Sequence, residues 1–493
     1  MEPLPDHILD RLDFTAAAAV ESQSWRNLLP PEPWLHVVET NPTSFGSYTR
    51  HRLEAGITTA PAVIVQSRKP HQQVRPVPVI GIPERISYRA LTECILQDQP
   101  PLDRSQGAYR RFVGGPIKAV IGDRRTIQLG DFTEYVVESD IAAFYEYIDH
   151  AQLISELELR TSTVVLPRIL GTFLNELQGR PFGLPQLLDP SDHLSEHYGR
   201  IVERELERRG MDVWRYNDDF RLTANGYDQA QAAVEALSEE ARKVGLVLNE
   251  PKTHIVKFIN YFWGNILEPR TDGDIEFKPE FIEVTGEYGD RDSDGAVALA
   301  HEVIDRLDTN ASQPLDPRRL SRSDARDLGR AIGILTRETD PYALEKASDL
   351  FEFAAHLGHR VCTYLAALQE GGHDIARIWD ELISRAHQFN AWQRIWLVYL
   401  ARQGSLQRKK IRREWVASQM NDSDPLLRAE ATLALAPHQG VMFEVVDHAT
   451  RVEPEALLPW YALAAGHVAQ GSTKRLTALK DSHRLIELVL QDP

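Results

Sequence analysis

Two adjacent carboxylates, Asp218 and Asp219, are the residues of this sequence whose types and spacing most directly suggest chemistry. They lie between two short apolar runs, Val213–Tyr216 and Phe220–Leu222, a pattern that predicts a tight β-hairpin with both acids at its turn. Because adjacent like charges repel, a fold that holds them together normally supplies cations. The pair therefore indicates a metal site. The plainer alternative is a solvated acidic turn, since a Tyr-x-Asp-Asp match arises by chance in roughly a few per cent of chains this long.

A third carboxylate, Asp140, stands at the end of an apolar strand that begins near Tyr135, and an aromatic-rich helical segment follows it. A carboxylate at a strand end beside the hairpin acids would complete a three-carboxylate site. Oxygen ligands select Mg²⁺ or Mn²⁺, and two such ions can clamp the attacking and leaving oxygens of a phosphoryl transfer. We therefore expect two ions of Mg²⁺ or Mn²⁺ per active site.

The elements that must position these acids follow the order strand, helix, hairpin, helix, strand. A helix is predicted over Ser191–Arg209 before the hairpin and another over Tyr227–Val244 after it, from apolar residues at helical spacing. The second helix leads into Gly245–Thr253 and then Tyr261–Gly264. This order is the split βαβ pattern of a ferredoxin-like sheet.

Upstream of the acids, from Pro61, the pattern predicts two short strands, Ala62–Gln66 and Arg75–Pro83. A helix follows from Arg85 to Leu96, with Arg85 and Arg89 one turn apart. Arginines fixed on such an edge suit a polyanion such as a triphosphate. The alternative is that both are solvated surface charges.

Four motifs resemble, in the same order, the successive palm motifs of reverse transcriptases. The finger motifs of the family are resembled upstream by Arg75-Pro-Val and Arg85-Ile-x-x-Arg89-x-Leu. The resemblance covers about residues 61 to 270. It implies an α+β fingers and palm, with a ferredoxin-like palm. The four palm motifs are Asp140-x-x-x-Phe144-Tyr145, Gly183-Leu184-Pro185-Gln186, Tyr216-Asn217-Asp218-Asp219 and Gly245-Leu246-x-Leu248-Asn249-x-x-Lys252-Thr253.

The resemblance also implies roles for single residues. It makes Asp140, Asp218 and Asp219 the metal-binding carboxylates, assisted by the backbone carbonyl of Ile141. Lys252 takes the place of a general acid that protonates the leaving pyrophosphate.

Four further residues are assigned to nucleotide binding by the same resemblance. Tyr145 takes the position of the aromatic residue that stacks under the sugar and excludes a 2′-hydroxyl, which favours dNTPs, and its alternative is core packing. Lys69 and Arg75 match the finger cations that hold the triphosphate. Gln186 lies where the nascent pair and the template are gripped.

Two features depart from the family pattern. Leu187 stands where many members have Gly after Pro-Gln, which places a bulkier side chain where the chain should pass close to the nascent base pair. In addition, no recognisable thumb follows the palm, because beyond the acidic stretch Glu283–Asp294 the sequence is helical almost to its end.

We therefore predict three segments: an N-terminal helical and loop segment (1–60), fingers and palm (61–282), and an all-α domain (295–493) in place of the thumb. The first opens with one helix, Ile8–Leu29. From Gly295 onward we expect amphipathic helices of roughly 12 to 18 residues joined by short turns. Asp424–Ala431 resembles the start of a HEAT repeat's second helix. A HEAT-like α-solenoid or an irregular helical bundle is the preferred interpretation, and an ordinary all-helical domain is the alternative.

A palm without a thumb, joined to a helical-repeat half, resembles the unknown-group abortive-infection (AbiK-like) reverse transcriptases. That resemblance implies antiphage defence in bacteria and protein-primed DNA synthesis, often without a coded template. It also implies a homo-oligomer, dNTPs as substrates, a single-stranded DNA product attached to the protein, and an RNA template or noncoding RNA as a further partner.

Two alternatives remain open. The first is a templated retron-like or other RNA-directed DNA polymerase, although the retron signature Asn-Ala-x-x-His is absent from the sequence. The second is a protein of another class, an inactive palm scaffold that binds a phage or host protein through its helical repeats. The presence of all three carboxylates weighs against the scaffold.

Protein priming requires a hydroxyl on a movable segment that can enter the palm. Tyr48 is the only tyrosine before the finger motifs, and it lies in a Pro-, Gly- and Ser-containing stretch, Pro42–Thr49, that predicts a loop. Tyr48 is therefore the candidate priming residue. The alternatives are neighbouring hydroxyls and tyrosines of the helical half: Ser44, Ser47, Thr49, Tyr342, Tyr364, Tyr399 and Tyr461.

Composition limits the partners. The net charge of −17 argues against a general duplex binder, since affinity for phosphate backbones comes mostly from Lys and Arg. Basic residues outnumber acidic ones, 11 against 7, between Pro61 and Tyr135, so nucleic acid should meet that part. The only cysteines, Cys94 and Cys362, suggest neither a disulfide framework nor a zinc site. With no membrane span and no signal peptide pattern, we expect a cytoplasmic protein without membrane contact.

Overall fold

A computed structural model describes residues 2–24, 28–57, 59–70, 73–122, 126–127, 132–161, 163–265, 275–276, 296–308, 314–438 and 440–491. The acidic stretch Glu283–Asp294, the predicted palm end at 282 and the predicted start of the helical half at Gly295 lie outside these residues. The chain divides into two compact units, one of residues Met1–Ala90 with Asp292–Pro493 and one of Leu91–Arg291. The division of the chain at residues 60, 282 and 295 stays a prediction.

Residues before the palm form short helices and one hairpin. Their elements are α1 (Asp6–Leu9), α2 (Phe14–Ser22), α3 (Leu35–Thr40), α4 (Pro42–Glu54), β1 (Val63–Arg68), β2 (Val74–Val79) and α5 (Ile82–Leu96). The predicted single helix Ile8–Leu29 is wrong, because Asp13 caps a separate helix by accepting a hydrogen bond from the Ala16 amide at 2.8 Å. The predicted loop Pro42–Thr49 is also wrong. Pro42 occupies the first helical turn of α4, where its missing N–H costs nothing.

The second unit contains the sheet that carries the acids. Its elements are α6 (Gln106–Ile121), β3 (Thr126–Ile127), β4 (Tyr135–Asp140), α7 (Phe144–Tyr147), α8 (His150–Thr161), α9 (Val165–Gln178), α10 (Asp189–Arg208), β5 (Val213–Tyr216), β6 (Asp219–Ala224), α11 (Tyr227–Lys243), β7 (His254–Lys257), α12 (Phe258–Asn265) and β8 (Ile275–Glu276).

Strands β5, β6, β4 and β7 form, in that order, one antiparallel sheet. Taken in chain order this is the arrangement of a ferredoxin-like sheet, as the element order predicted. The closing strand is β7, whereas Tyr261–Gly264 lies within α12. The two-residue strands β3 and β8 pair separately.

Helices pack on this sheet around a buried core. Val136 of β4 belongs to a buried cluster with side chains of α6 and α12, among them Phe112 and Phe262. Successive side chains of a strand point to opposite faces, so the buried Val137 faces the other way. Helices α10 and α11 also contact the sheet. This packing fixes the ends of β4 and β6, where the acids lie.

The C-terminal half is helical throughout its described residues. Its helices are α13 (Ala296–Asp305), α14 (Arg322–Glu338), α15 (Ala347–Phe353), α16 (Gly358–Glu370), α17 (Ala376–Ser384), α18 (Ala391–Gln403), α19 (Lys410–Gln419), α20 (Pro425–Leu435), α21 (Phe443–Val452), α22 (Leu458–Val468), α23 (Thr473–Ser482) and α24 (Arg484–Val489).

From α14 onward, each even-numbered helix packs against the next even-numbered helix. Thus α14, α16, α18, α20, α22 and α24 contact one another in succession, and α19, α21 and α23 each pack on the helix that follows them. Most of the helices are shorter than the predicted 12 to 18 residues, and among those described only α14, α16 and α18 reach that length. The resemblance of Asp424–Ala431 to a HEAT repeat stays a prediction, although Asp424 does cap α20 through the Leu427 amide at 3.0 Å.

The N-terminal residues pack with this helical half as part of one unit. β1 contacts α18 and α20, and α4 contacts α24. The indole of Trp396 donates to the carbonyl of Leu28 at 3.2 Å. No helix among the described residues is long and apolar enough to cross a membrane.

Candidate active site

Three carboxylates meet where β4 ends and the β5–β6 hairpin turns. Asp140 is the last residue of β4 and Asp219 the first of β6, and the two are direct partners across the antiparallel pair. Asp218 belongs to the two-residue turn between β5 and β6. One carboxylate oxygen from each of the three residues lies within 4.8 Å of the others. The register of β4 on β6 therefore assembles the predicted three-acid cluster.

The turn that carries Asp218 is held by its neighbours. Asn217 has a φ of 58°, in the left-handed region that Asn tolerates better than most residues. The Ile141 amide donates to the Asp218 carbonyl at 3.0 Å, and the Arg215 guanidinium donates to the Asn217 carbonyl at 3.0 Å. The Arg215 side chain is itself buried and paired with Glu203. These bonds fix the turn relative to the end of β4.

Burial and mutual repulsion make Asp218 and Asp219 reluctant to ionise in the absence of a cation. Burial, followed by the neighbouring Asp218 charge, raises the pKa of Asp219 to about 7. Burial also raises the pKa of Asp218, with Asp140 as the next cause. A bound cation would remove this penalty, because an opposite charge favours the ionised form.

Asp140 already has two partners in the structure. Lys252 places its Nζ 2.8 Å from Asp140 Oδ1, and Asn249 donates its side-chain amide to Asp140 Oδ2 at 2.8 Å. The backbone amide of Asn249 also donates to the Asp140 carbonyl at 2.7 Å. The motif from Gly245 to Thr253 therefore contributes one cation and one amide to the acid cluster. The general-acid role of Lys252 stays a prediction.

Tyr145 is half-buried, and its hydroxyl group is hydrogen bonded. It donates to Asp192 Oδ1 at 2.5 Å, and Asn217 Oδ1 lies 3.2 Å from the same hydroxyl. Burial, followed by the Asp192 charge, raises the pKa of Tyr145 well above its usual range. Core packing alone, the alternative considered from the sequence, does not describe such a residue, because its polar end contacts the turn that carries Asp218.

Gln186 and Leu187 follow the Gly-Leu-Pro motif. The Gln186 side chain donates to Glu146 at 3.3 Å, and its role in gripping a template stays a prediction. Leu187 has a φ of 65°, a conformation that strains a residue with a side chain and that Gly adopts freely. The position at which many relatives carry Gly thus has the backbone conformation that favours Gly, although the residue here is Leu.

The two finger cations predicted to hold a triphosphate lie on the other compact unit. Lys69 directly follows β1, and Arg75 is on β2, opposite Ser67 in the hairpin. Lys69 lines a small cavity of about 110 Å³ together with Arg68, Arg318 and Arg319. Their contact with a nucleotide stays a prediction.

The prediction that Arg85 and Arg89 bind a polyanion from an exposed edge is wrong. Both side chains are buried, and both pair with the carboxylate of Glu21 on α2, each at 2.6 Å. Arg85 pairs with Glu32 as well, and its guanidinium lies over the ring of Trp34. These arginines join α5 to the N-terminal helices, a partnership that no local pattern in the sequence reveals.

Tyr48, the candidate priming residue, lies on helix α4 rather than on a loop. Its hydroxyl accepts a hydrogen bond from Arg52 at 3.3 Å, and its ring meets His483 edge to face. Burial raises its pKa. The argument from loop presentation is therefore lost, while the role itself stays a prediction.

Four residues of the site were not singled out from the sequence. Asn217 and Asn249 stand inside recognised motifs, but their side chains received no role. Arg104 donates to Asn217 Oδ1 at 3.0 Å, and Asp192 binds the hydroxyl of Tyr145. Neither of these two has a sequence signal, because each reaches the site only through the fold.

The donor set fits divalent cations of the Mg²⁺ type. All three side chains offer carboxylate oxygen, the ligand that Mg²⁺ and Mn²⁺ prefer, and the raised pKa of Asp219 marks a surplus of negative charge. The Ile141 carbonyl was predicted to assist. Ile141 is buried beside the cluster and is bridged to Leu248.

Comparison with known protein families agrees with the class of site. Residues 67–271 match the family described as "Reverse transcriptase (RNA-dependent DNA polymerase)". The chain therefore contains a reverse transcriptase domain, and the three acids lie within it. A search of curated proteins found no match.

Solved telomerase structures are similar to this chain at low sequence identity. A Candida albicans telomerase in complex with a fragment of telomeric RNA is 10% identical, with a TM-score of 0.35 over 67% of this chain and 62% of that one. A C-terminally truncated telomerase from Candida tropicalis is 14% identical, with a TM-score of 0.29 over 41% and 50%. An apo telomerase from Candida tropicalis is 12% identical, with a TM-score of 0.32 over 88% and 69%. The chain thus spans 62% and 50% of the first two.

Proposed function

We propose that this protein is a DNA polymerase of reverse-transcriptase type that adds dNMPs to a hydroxyl group by a two-metal mechanism. The observation that carries the proposal is the meeting of three carboxylate oxygens within 4.8 Å, inside the stretch that matches the reverse transcriptase family. A surface turn has no need for three buried or half-buried acids, of which Asp218 and Asp219 have raised pKa values, whereas phosphoryl transfer needs cations held at this kind of cluster.

In this proposal Asp140, Asp218 and Asp219 hold the ions, with the carbonyl of Ile141 as a further ligand. Bound divalent ions would supply charge neutralisation and a lowered pKa for the attacking hydroxyl. That hydroxyl attacks the α-phosphate, the bond to pyrophosphate breaks, and the hydroxyl proton leaves to solvent. The ammonium of Lys252, now paired with Asp140, is the proton donor for the departing pyrophosphate.

The triphosphate and base contacts belong to the remaining predicted residues. Lys69 and Arg75 bind the triphosphate, Gln186 contacts the nascent pair, and Tyr145 bounds the sugar. Asn249 keeps Asp140 oriented, because its side chain and its backbone amide both bind that residue. The proposal therefore assigns one role to each of these residues.

The experiment is incorporation of labelled dNTPs by the purified full-length protein in Mg²⁺ or Mn²⁺. Reactions with and without an added RNA or DNA template separate templated synthesis, as in a retron-like enzyme, from untemplated synthesis. Absence of incorporation under every condition would leave the scaffold alternative. Protease treatment before electrophoresis tests whether the product is attached to protein.

We further propose that synthesis is primed from the protein and serves antiphage defence in bacteria, as the resemblance to abortive-infection reverse transcriptases implies. The support is the absence of a recognisable thumb sequence and the row of helices that follows the palm. The helical half is proposed to act as a HEAT-like repeat array in a homo-oligomer. Phage plating on cells that carry the wild type or an Asp218→Ala variant tests defence, since equal plating efficiency would contradict it.

Tyr48 is the proposed priming residue. Tyr48→Phe deletes only the hydroxyl oxygen, so we expect loss of DNA attached to the protein with extension of an added primer retained. Mass spectrometry of nuclease-trimmed protein measures the adduct. An adduct on another residue, or an undiminished adduct in Tyr48→Phe, would exclude Tyr48.

A further inference from the structure

The hydroxyl of Tyr145 donates a hydrogen bond to helix α10 and contacts the turn that carries Asp218. Its one proton is donated to Asp192 Oδ1 on α10, at the short distance of 2.5 Å. Ser195, one turn along the same helix, lies 3.3 Å from the hydroxyl. On the other side, Asn217 Oδ1 is 3.2 Å away. The ring is therefore held at its far end as well as at its backbone.

Asn217 connects this arrangement to the metal-binding turn. Its side-chain amide donates to Asp218 Oδ1 at 3.0 Å, while its side-chain oxygen faces Tyr145 and accepts from Arg104 at 3.0 Å. One amide group thus contacts the hydroxyl of Tyr145 and a carboxylate of the acid cluster. The hydroxyl of Tyr145 is therefore separated from the Asp218 carboxylate by a single amide group.

This polar cluster is only partly exposed to water. Tyr145 and Asp192 are both half-buried, and a carboxylate shielded from water is destabilised when it loses its hydrogen-bond donor. Rotation of the ring away from its place would break the bond to Asp192. The ring is consequently a rigid wall, whereas a phenylalanine at this position could yield to a larger sugar.

We propose that Asp192 is a positioning residue that sets sugar selection: it holds Tyr145 rigidly near the turn that carries Asp218, so that the ring excludes a ribose 2′-hydroxyl. This inference rests on the proposed polymerase function and on Tyr145 as the residue that bounds the sugar. It adds that the phenol oxygen, and not only the ring, is required for discrimination. It also makes an acid on α10 part of nucleotide selection.

The test measures kcat/KM for each dNTP and its matching rNTP in the full-length protein. Tyr145→Ala should admit ribonucleotides because it removes the wall. Tyr145→Phe and Asp192→Ala keep the ring but free it, so each should lower the dNTP-over-rNTP ratio by roughly ten- to a hundredfold. The lowered ratio should come from a gain in kcat/KM with rNTPs. Asp192→Asn, whose amide oxygen still accepts the bond, should restore most of the selectivity.

Two further variants separate a specific role from a general loss of structure. The double variant Tyr145→Phe/Asp192→Ala should be no less selective than either single variant, because both remove the same bond. Asp228→Ala, at an exposed acid in the first turn of α11, should leave the ratio unchanged. An unchanged ratio in Tyr145→Phe or Asp192→Ala, or additive losses in the double variant, would overturn the proposal.

Failure of the polymerase function gives a different result. If the wild type incorporates neither dNTPs nor rNTPs, the proposed function fails, and equilibrium binding of dATP and ATP in Ca²⁺ then tests the arrangement by itself. A preference for dATP that Asp192→Ala removes and Asp192→Asn keeps supports the inference. Equal binding of dATP and ATP by the wild type contradicts it.

Discussion

At the scale of single residues, the raised pKa of Asp219 shows that the acid cluster favours a neutralising cation. Its side chain is held beside Asp218 and Asp140 in a place where ionisation is costly, so its pKa is raised to about 7. A protein gains no stability from such a cluster, because removing one acid relieves repulsion. The arrangement therefore supports the proposal that the cluster binds cations.

We expect Asp218→Ala and Asp219→Asn to reduce dNTP incorporation by about a hundredfold or more, because each removes a ligand from the three-acid cluster. In metal-free buffer both variants should melt at or above the wild-type temperature, because repulsion is relieved. Incorporation assays and thermal melting measure the two effects. Asp212→Asn, which removes an exposed carboxylate just before β5, is the matched control. Near wild-type incorporation by Asp218→Ala would contradict the polymerase proposal.

Binding of Mg²⁺ or Mn²⁺ should depend on pH through Asp219. Below its pKa of about 7 the carboxyl holds a proton that the cation must displace, so affinity should fall by roughly tenfold per pH unit. Calorimetric titration between pH 5.5 and about 8 measures this slope. A pH-independent affinity would contradict the prediction.

The raised pKa of Asp219 should also make the folding stability of the metal-free protein depend on pH. The folded state keeps a proton on Asp219 that the unfolded state has lost above the ordinary aspartate pKa. Stability should therefore fall as pH rises from about 4 to about 7. Asp219→Asn should flatten that part of the profile, and an unchanged profile in this variant would assign the dependence to other groups.

At the scale of elements, local patterns predicted what depends on local order. The strand ending at Asp140, the hairpin around Asp218 and the helices flanking it follow from apolar spacing and turn residues, and the register of β4 on β6 brings the acids together. The loop predicted at Pro42–Thr49 was wrong, because proline is compatible with the start of a helix as well as with a loop. Partners distant in sequence, such as Asp192 for Tyr145 or Glu21 for Arg85, leave no local signal.

Arg85 provides a prediction for the element α5. Arg85 is 2% exposed and its guanidinium lies between Glu21 and Glu32, so Arg85→Met should destabilise the fold by about 3 to 5 kcal/mol, because Glu21 loses one of its two arginines and Glu32 loses its pairing with Arg85. Chemical denaturation measures the loss. Arg110→Met, in the first turns of α6, is the control, since Arg110 is exposed. An unchanged stability together with a raised KM for dNTPs would contradict this prediction and indicate that Arg85 binds the triphosphate.

At the scale of the whole molecule, the sequence order of segments differs from the grouping of compact units. Residues before α5 belong with the helical half, because β1 contacts α18 and α20. Arg52 on α4 forms a buried ion pair with Glu84 of α5. Arg52 also binds Glu455 of the helical half. A chain cut near residue 290 would strip these partners away. The helical half is therefore better tested by surface substitutions in the full-length protein than by truncation.

The proposed oligomer has a candidate surface on α21. Met442, Val445 and Val452 are spaced to lie on one side of this helix, and all three are exposed, Met442 by 67% and Val452 by 61%. If copies of the chain associate through this side, Val445→Asp/Val452→Asp should reduce the mass in light scattering to that of one chain, because charge replaces buried apolar surface. Leu159→Asp, at a 77% exposed leucine on α8, is the control and should leave the mass unchanged. A multimeric mass that survives the α21 substitutions would place the interface elsewhere, and a single-chain mass for the wild type would contradict the oligomer itself.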